Sequence, residues 1–204
     1  MTEASNQEAY QALLARFTAI EQQDWIEPIA AVPEPAARPD SEIDVAGLEA
    51  AWRGLKDTHD FHALLKRFDV RREQAMRLVA DDLATSVAND APRRILEAAR
   101  DSGCEIMVFV GNRVCIQIHT GPVHTLKAIP GWFNVLDERF NLHLNEEAIA
   151  SCWLSRKPTV DGVVTALEVF DTQGRLIVTF FGKRKPGVPE LPLWRELTQT
   201  LLDR

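Results

Sequence analysis

The periodicity of this chain changes at Cys104, and that change constrains the fold more than any other feature. Before it, apolar residues recur at helical spacing; after it they alternate with a period of two or run continuously, which is the pattern of strands. Ile106-Met107-Val108-Phe109-Val110 and Val114-Cys115-Ile116-Gln117-Ile118 flank Gly111-Asn112-Arg113, a hairpin signal. Further strands are predicted over 123–129, 132–136, 140–144, 150–157, 163–170 and 176–181, with turns at Asp161-Gly162 and Gln173-Gly174. Leu176, Val178 and Phe180 alternate with Ile177 and Phe181, so such strands need cover on both faces.

Helices are expected over 45–56, 58–68, 71–80 and 91–102. Asp44 and Thr58 are the expected N-caps, Pro92 suits a first turn, and Gly103 is a natural stop. A last helix over 191–202 presents Leu193, Trp194, Leu197 and Leu201 as one stripe. The expected class is therefore α+β: a helical segment, then a large antiparallel β-sheet meander, then a C-terminal helix.

The segment before residue 44 differs in character. Residues 1–23 carry an amphipathic helix with Tyr10, Leu13, Leu14, Phe17 and Ile20 at helical spacing, and 24–43 form a linker rich in Pro, Ala and acids. Nine Asp and Glu against two Arg place a charge of -7 on residues 1–44, while the remainder holds 21 of each sign. The body is thus electrically balanced, which argues against a general nucleic-acid surface and leaves room for a local basic pocket. No apolar run reaches the ~20 residues of a membrane span. The amino terminus lacks the pattern of a secretory signal, so a cytoplasmic location is expected. Cys104, Cys115 and Cys152 match no zinc spacing and imply no disulfide framework.

Nucleophile elbow, Walker, zincin and dinucleotide motifs are absent. Chemistry-bearing candidates are a histidine helix and three basic sites. In the run from Asp57 to Phe68, Phe61, Leu64, Leu65 and Phe68 form an apolar stripe, and His59, His62 and Lys66 fall on the other side. Taken alone, that polar side reads as a solvated surface. Arg71-Arg72, Arg156-Lys157 and Lys183-Arg184-Lys185 sit at element ends, where long cations usually face water. His119 and His143 lie in strands and read as hydrogen-bonded structural residues.

The run 106–121, followed by Trp132-Phe133-Asn134-Val135-Leu136-Asp137, Phe140-Asn141-Leu142-His143-Leu144, Arg156-Lys157-Pro158-Thr159 and Phe180-Phe181-Gly182-Lys183-Arg184, resembles the carboxy-terminal repeat of the HemS/ChuX-type haemin-degrading factors. The resemblance extends over 44–204, and the first segment resembles the end of a preceding repeat with its linker. It implies a cytoplasmic haem-binding protein of bacterial iron acquisition, with His59 as axial iron ligand and His62 as a neighbouring or alternate one. It implies that Arg72, Lys157 and Arg184 lie toward the haem propionates, and that Phe181 stands where a tyrosine is often found. A neutral imidazole, an apolar wall and cations are what haem requires. The implied partners are haem and either a first-repeat domain or a second copy. Three functions remain open at this point: haem binding for trafficking or detoxification, ring opening with help from a first repeat, and association as half of a two-repeat protein.

Overall fold

Alternation along the strands determines which side chains meet across the sheet. A computed structural model describes residues 6–22, 36–112 and 114–202. It divides into two compact units, Met1–Ala36 and Ala37–Arg204. The first contains helix α1 (Gln7–Phe17), whose N-cap Asn6 accepts from Ala9 N at 2.9 Å. Most of the expected linker, its residues 24–35, lies outside the described residues. The second unit begins earlier than residue 44, because the turn Asp40–Glu42 is tied down. Arg77 pairs with Asp40 at 2.5 Å, and Gln74 Nε2 donates to Arg38 O and to Asp40 Oδ1.

In that unit α2 (Val45–Arg53), α3 (Asp60–Phe68) and α4 (Arg72–Leu78) lead into β1 (Ala84–Val87) and α5 (Ala91–Ser102). There follow β2 (Ile106–Gly111), β3 (Ile116–Gly121), β4 (Leu126–Ile129), β5 (Trp132–Asp137), β6 (Phe140–Asn145), β7 (Ser151–Thr159), β8 (Gly162–Phe170), β9 (Leu176–Gly182) and α6 (Pro192–Gln199). Every pairing is antiparallel. The strands form two sheets, one ordered β1-β7-β8-β9-β2-β3 and one β4-β5-β6. The meander therefore runs through β7-β8-β9, and the β2-β3 hairpin docks on the free edge of β9. Strand β1 is an addition to the sequence reading, and it pairs with β7 at the sheet's edge.

Register places Trp153, Glu168, Thr179, Phe109 and Ile118 in one line across one face. The opposite face presents Leu154, Leu167, Val178, Phe180 and Val108 to α5, α6 and the small sheet, where Ile95, Leu96, Phe133, Leu144 and Trp194 are buried with them. Among the described residues of this unit, the first face is covered only at its β1-β7 end. There Leu48, Trp52, Phe61, Leu64 and Met76 of α2 to α4 close over Ala84 and Phe170. Among the described residues no helix is long and apolar enough to cross a membrane.

Packing of α6 against β9 leaves no space at Gly182. A Cβ there would lie 2.6 Å from Trp194 Cβ and Cγ, inside van der Waals contact. Gly182→Ala should lower stability by about 1–3 kcal/mol through overpacking, read as a lower urea midpoint with an unchanged slope.

Candidate functional site

The uncovered half of the first face is a cavity of about 760 Å³, within the range of roughly 300–1,000 Å³ of small-molecule sites. Its floor is apolar: Met107, Phe109, Ile116, Ile118, Ile177 and Phe181 project from β2, β3 and β9. Phe109 and Phe181 meet edge to face with centroids 5.3 Å apart. One rim is the start of α3, with Thr58, His59 and His62; another carries Arg184 and Lys185 from the turn after β9. All six residues expected at the site, His59, His62, Arg72, Lys157, Phe181 and Arg184, border this one cavity.

The histidine helix begins at Asp60, and its apolar stripe is buried as its spacing requires, with Phe61, Leu64 and Leu65 in the core. Thr58 does not cap it. His59 stands at the N-cap with no side-chain capping bond among the described residues, and Asp57 engages His59 itself: its Oδ1 accepts from His59 N at 2.8 Å and meets His59 Nδ1 at 2.6 Å. The backbone bond from His59, then its imidazole, hold the Asp57 carboxyl below the usual range. A carboxylate acceptor keeps the ring proton on Nδ1 and leaves the Nε2 lone pair free. The His59 side chain is 92% exposed, so that lone pair is open to a ligand. His62 lies on the same helix face. Partial loss of water around its ring, then the Arg72 guanidinium, push it below the ordinary imidazole value and favour its neutral form.

Beneath the cavity lies a charged cluster that differs from the expected solvated basic sites. Alternation in β7 sends Arg156 toward Thr85 and Asp81, and turns Lys157 inward. Lys157 is only 2% exposed, and its Nζ donates to Glu168 Oε1 at 2.5 Å and to Ser155 Oγ at 2.6 Å. It also lies 4.5 Å from the Phe61 ring centroid. Glu168 is fully buried and accepts from Arg72 Nε, Lys157 Nζ and Ser155 Oγ, each at 2.5 Å. Burial pushes the Glu168 carboxyl up, but Arg72 and Lys157 outweigh it and hold the group ionised. Burial lowers the Lys157 ammonium to about 8, against the pull of Glu168. At neutral pH the three groups together carry one positive charge.

Arg184 is the third cation, with Nη2 placed 3.4 Å from Asp161 Oδ2. Its Nε is buried, and no described residue accepts its hydrogen. The structural histidines behave as expected: His143 Nδ1 meets Asn134 Oδ1 at 2.8 Å, and His119 stacks on Phe140 at 3.7 Å. Three site residues were not singled out from the sequence, namely Asp57, Ser155 and Glu168. Glu168 had a signal, since it is the one acid inside the apolar run 163–170.

Breaking a buried ion pair costs more than deleting it whole. Glu168→Gln leaves two buried cations without an anion and should cost about 3–5 kcal/mol in urea unfolding, whereas Lys157→Met with Glu168→Gln should recover most of that loss.

Against this geometry the similarities of the chain are specific. The haemin-degrading HemS.ChuX domain family matches residues 69–201. The chain is 42% identical over 205 residues to the hemin transport protein HmuS of Yersinia pestis, covering 100% of this chain and 58% of that protein. Its structure is similar to holo-PhuS, a heme-binding protein from Pseudomonas aeruginosa, with TM-score 0.92 and 49% identity over 98% of this chain and 58% of that one. It is also similar to ChuS, an E. coli heme oxygenase, with TM-score 0.84 and 43% identity over 98% of this chain and 59% of that one. ChuX shares the fold at 14% identity and TM-score 0.62. The chain thus spans somewhat over half the length of the curated relatives it matches. With the family matched across most of the second unit, and relatives above two-fifths identity along the whole chain, this protein belongs to the haemin-degrading HemS/ChuX family.

Proposed function

We propose that this chain binds haem in the cavity beside α3, with His59 as axial iron ligand and His62 as a neighbouring or alternate one. The observation that carries this reading is the division of the cavity's walls. An imidazole with a free Nε2 stands on one rim, an apolar floor of aromatic and branched side chains lies beside it, and Arg72 and Arg184 supply cations. A flat macrocycle with an iron centre and two carboxylates requires that combination. The residues fit the group in two further respects. The Asp57 carboxylate orients His59 and raises its basicity as a ligand, and the orphaned Arg184 Nε is a donor in want of an acceptor.

When bound, haem would supply the redox and oxygen chemistry of its iron. The protein's part is to ligate through His59, to exclude water with Phe109, Phe181 and Ile177, and to meet the propionates with guanidinium groups, which can bind a carboxylate bidentately. Phe181 offers no hydroxyl, so its contribution is packing. This reading places the protein in the cytoplasm, in haem-iron acquisition, as a carrier or buffer of haem. Val114, together with Ile116 and Ile118 at the outer end of the floor, forms an exposed apolar rim where the cavity meets the surface. The same reading leaves that rim to a first-repeat domain or to a second copy.

Titration of the full chain with haemin should give a Soret band of histidine-ligated iron, and the paired change His59→Ala/His62→Ala should weaken binding by at least about tenfold and alter the band. An unchanged spectrum in the paired variant removes the role given to these histidines. Affinity should also depend on pH. Lys157 is protonated below about 8, so the cluster's net positive charge is present there and is lost as pH rises through that value. Haemin affinity should fall by about fivefold across that step, matching a charge interaction of about 1 kcal/mol in a partly solvated site. The dimethyl ester of haemin, measured in parallel, should lack the step, and so should Lys157→Met with the free acid.

A further inference from the structure

The buried acid beneath the cavity has no evident purpose for the fold. A carboxylate taken out of water costs several kcal/mol, and a well-packed apolar residue commonly serves stability as well or better. Nor does it help to attract an anion, because it reduces the charge of Arg72 and Lys157 from two to one. What it does is fix geometry. Glu168 Oε2 takes the Nε hydrogen of Arg72, which leaves that guanidinium's two terminal nitrogens with no acceptor among the described residues. Glu168 Oε1 and Ser155 Oγ take hydrogens of Lys157, and the Phe61 ring lies close to the same ammonium. Arg72 also lies over Phe61, 5.4 Å from its centroid, so the guanidinium is held from two directions. Its side chain is 19% exposed, and that residual exposure opens on the cavity.

We infer that Glu168 is a positioning residue for the anionic edge of the ligand: by holding Arg72 Nε it aims the two terminal nitrogens of that arginine at a carboxylate in the cavity, with Lys157 serving as the buried counter-charge that keeps Glu168 ionised. This rests on the haem reading above and adds the element that makes Arg72 selective for a carboxylate. A freely rotating arginine would lose side-chain entropy on binding, whereas one already anchored at Nε has less to lose. Ser155 belongs to the same device, because its hydroxyl bridges Lys157 and Glu168 and holds the ammonium on the inner side.

The test compares haemin with its dimethyl ester, whose iron and ring are the same but whose propionates carry no charge. The full chain is titrated as wild type, as Glu168→Gln, as Lys157→Met/Glu168→Gln, as Arg72→Gln, and as the triple change. The paired variant keeps the cluster's net charge at one while exchanging the ionic anchor of Arg72 for a neutral amide and removing the counter-charge that no longer has an anion to pair with, so it remains informative even where Glu168→Gln alone fails to fold. Expected for the pair is a loss of about tenfold in haemin affinity with less than about threefold for the ester, and no further loss on the Arg72→Gln background. Equal losses for haemin and ester would show a merely structural role and overturn the inference. So would an unchanged haemin affinity, or a loss that adds fully to that of Arg72→Gln. A wild type that binds neither porphyrin would instead defeat the haem reading itself.

Discussion

The constraint on which the second unit depends is a sheet that is apolar on both faces and that its described helices and small sheet cover far more fully on one than on the other. Strand β9 states it in a few residues: Val178 and Phe180 are buried against α6 and the small sheet, while Ile177 and Phe181 look into the cavity. Two-sided apolarity of this kind is stable only when something covers both sides. Helices α2 to α4 close one end of the first face and stop short of its other end. The unclosed remainder is a shaped apolar surface, and the helix that ends the cover places imidazoles at its margin, which makes it the candidate site.

The position of the charges follows from the same register. The line Trp153-Glu168-Thr179-Phe109-Ile118 runs from beneath the helical cover into the open floor. Glu168 falls where the cover ends. Its carboxylate is buried and paired, yet Arg72, which pairs with it, reaches the cavity wall. Placed one pair nearer the covered end, the cluster would be inert ballast within a core. Placed one pair farther out, it would be solvated and its anchoring weak, since exposed pairs contribute little.

Much of this organisation is legible in the sequence, and the parts that are not have physical reasons. Period-two patterning locates eight of the nine strands among the described residues, because half-buried antiparallel strands write their alternation directly. Ala84-Thr85-Ser86-Val87 does not, since its strand character comes from pairing with β7 rather than from its own residues. The partition into two sheets is invisible for a related reason: β2 docks on β9 across more than sixty residues of chain, and no local signal encodes that partner. The histidine helix was readable as amphipathic, and its apolar stripe is buried as drawn. Its cap was not. Thr58 is a good capping residue by type, but the helix starts later, with His59 at the N-cap and no side-chain capping bond among the described residues, and Asp57 binds the backbone and ring of His59 instead. The basic sites were readable as residues and misleading as environments. Lys157 ends a sequence motif that looks exposed, whereas strand alternation turns it under Phe61 and Trp52.

Glu168 shows where sequence reasoning can be extended. A lone acid inside Val163-Val164-Thr165-Ala166-Leu167-Glu168-Val169-Phe170 could be the one outward residue of a half-exposed strand. That interpretation conflicts with its neighbours, because residues two places to either side, Ala166 and Phe170, are apolar and share its face. An acid on an apolar face must be neutralised, and neutralisation by two cations rather than one leaves a positive remainder. The composition of this strand therefore already required a neutralising partner for that acid on its own face. Only the fold could identify the partners as Lys157, two residues from Ser155 on β7, and Arg72, from the start of α4. The arginine at the cavity wall and the buried lysine are thus both paired with a single carboxylate, and the surplus charge they leave lies beside the part of the sheet that the described helices leave uncovered.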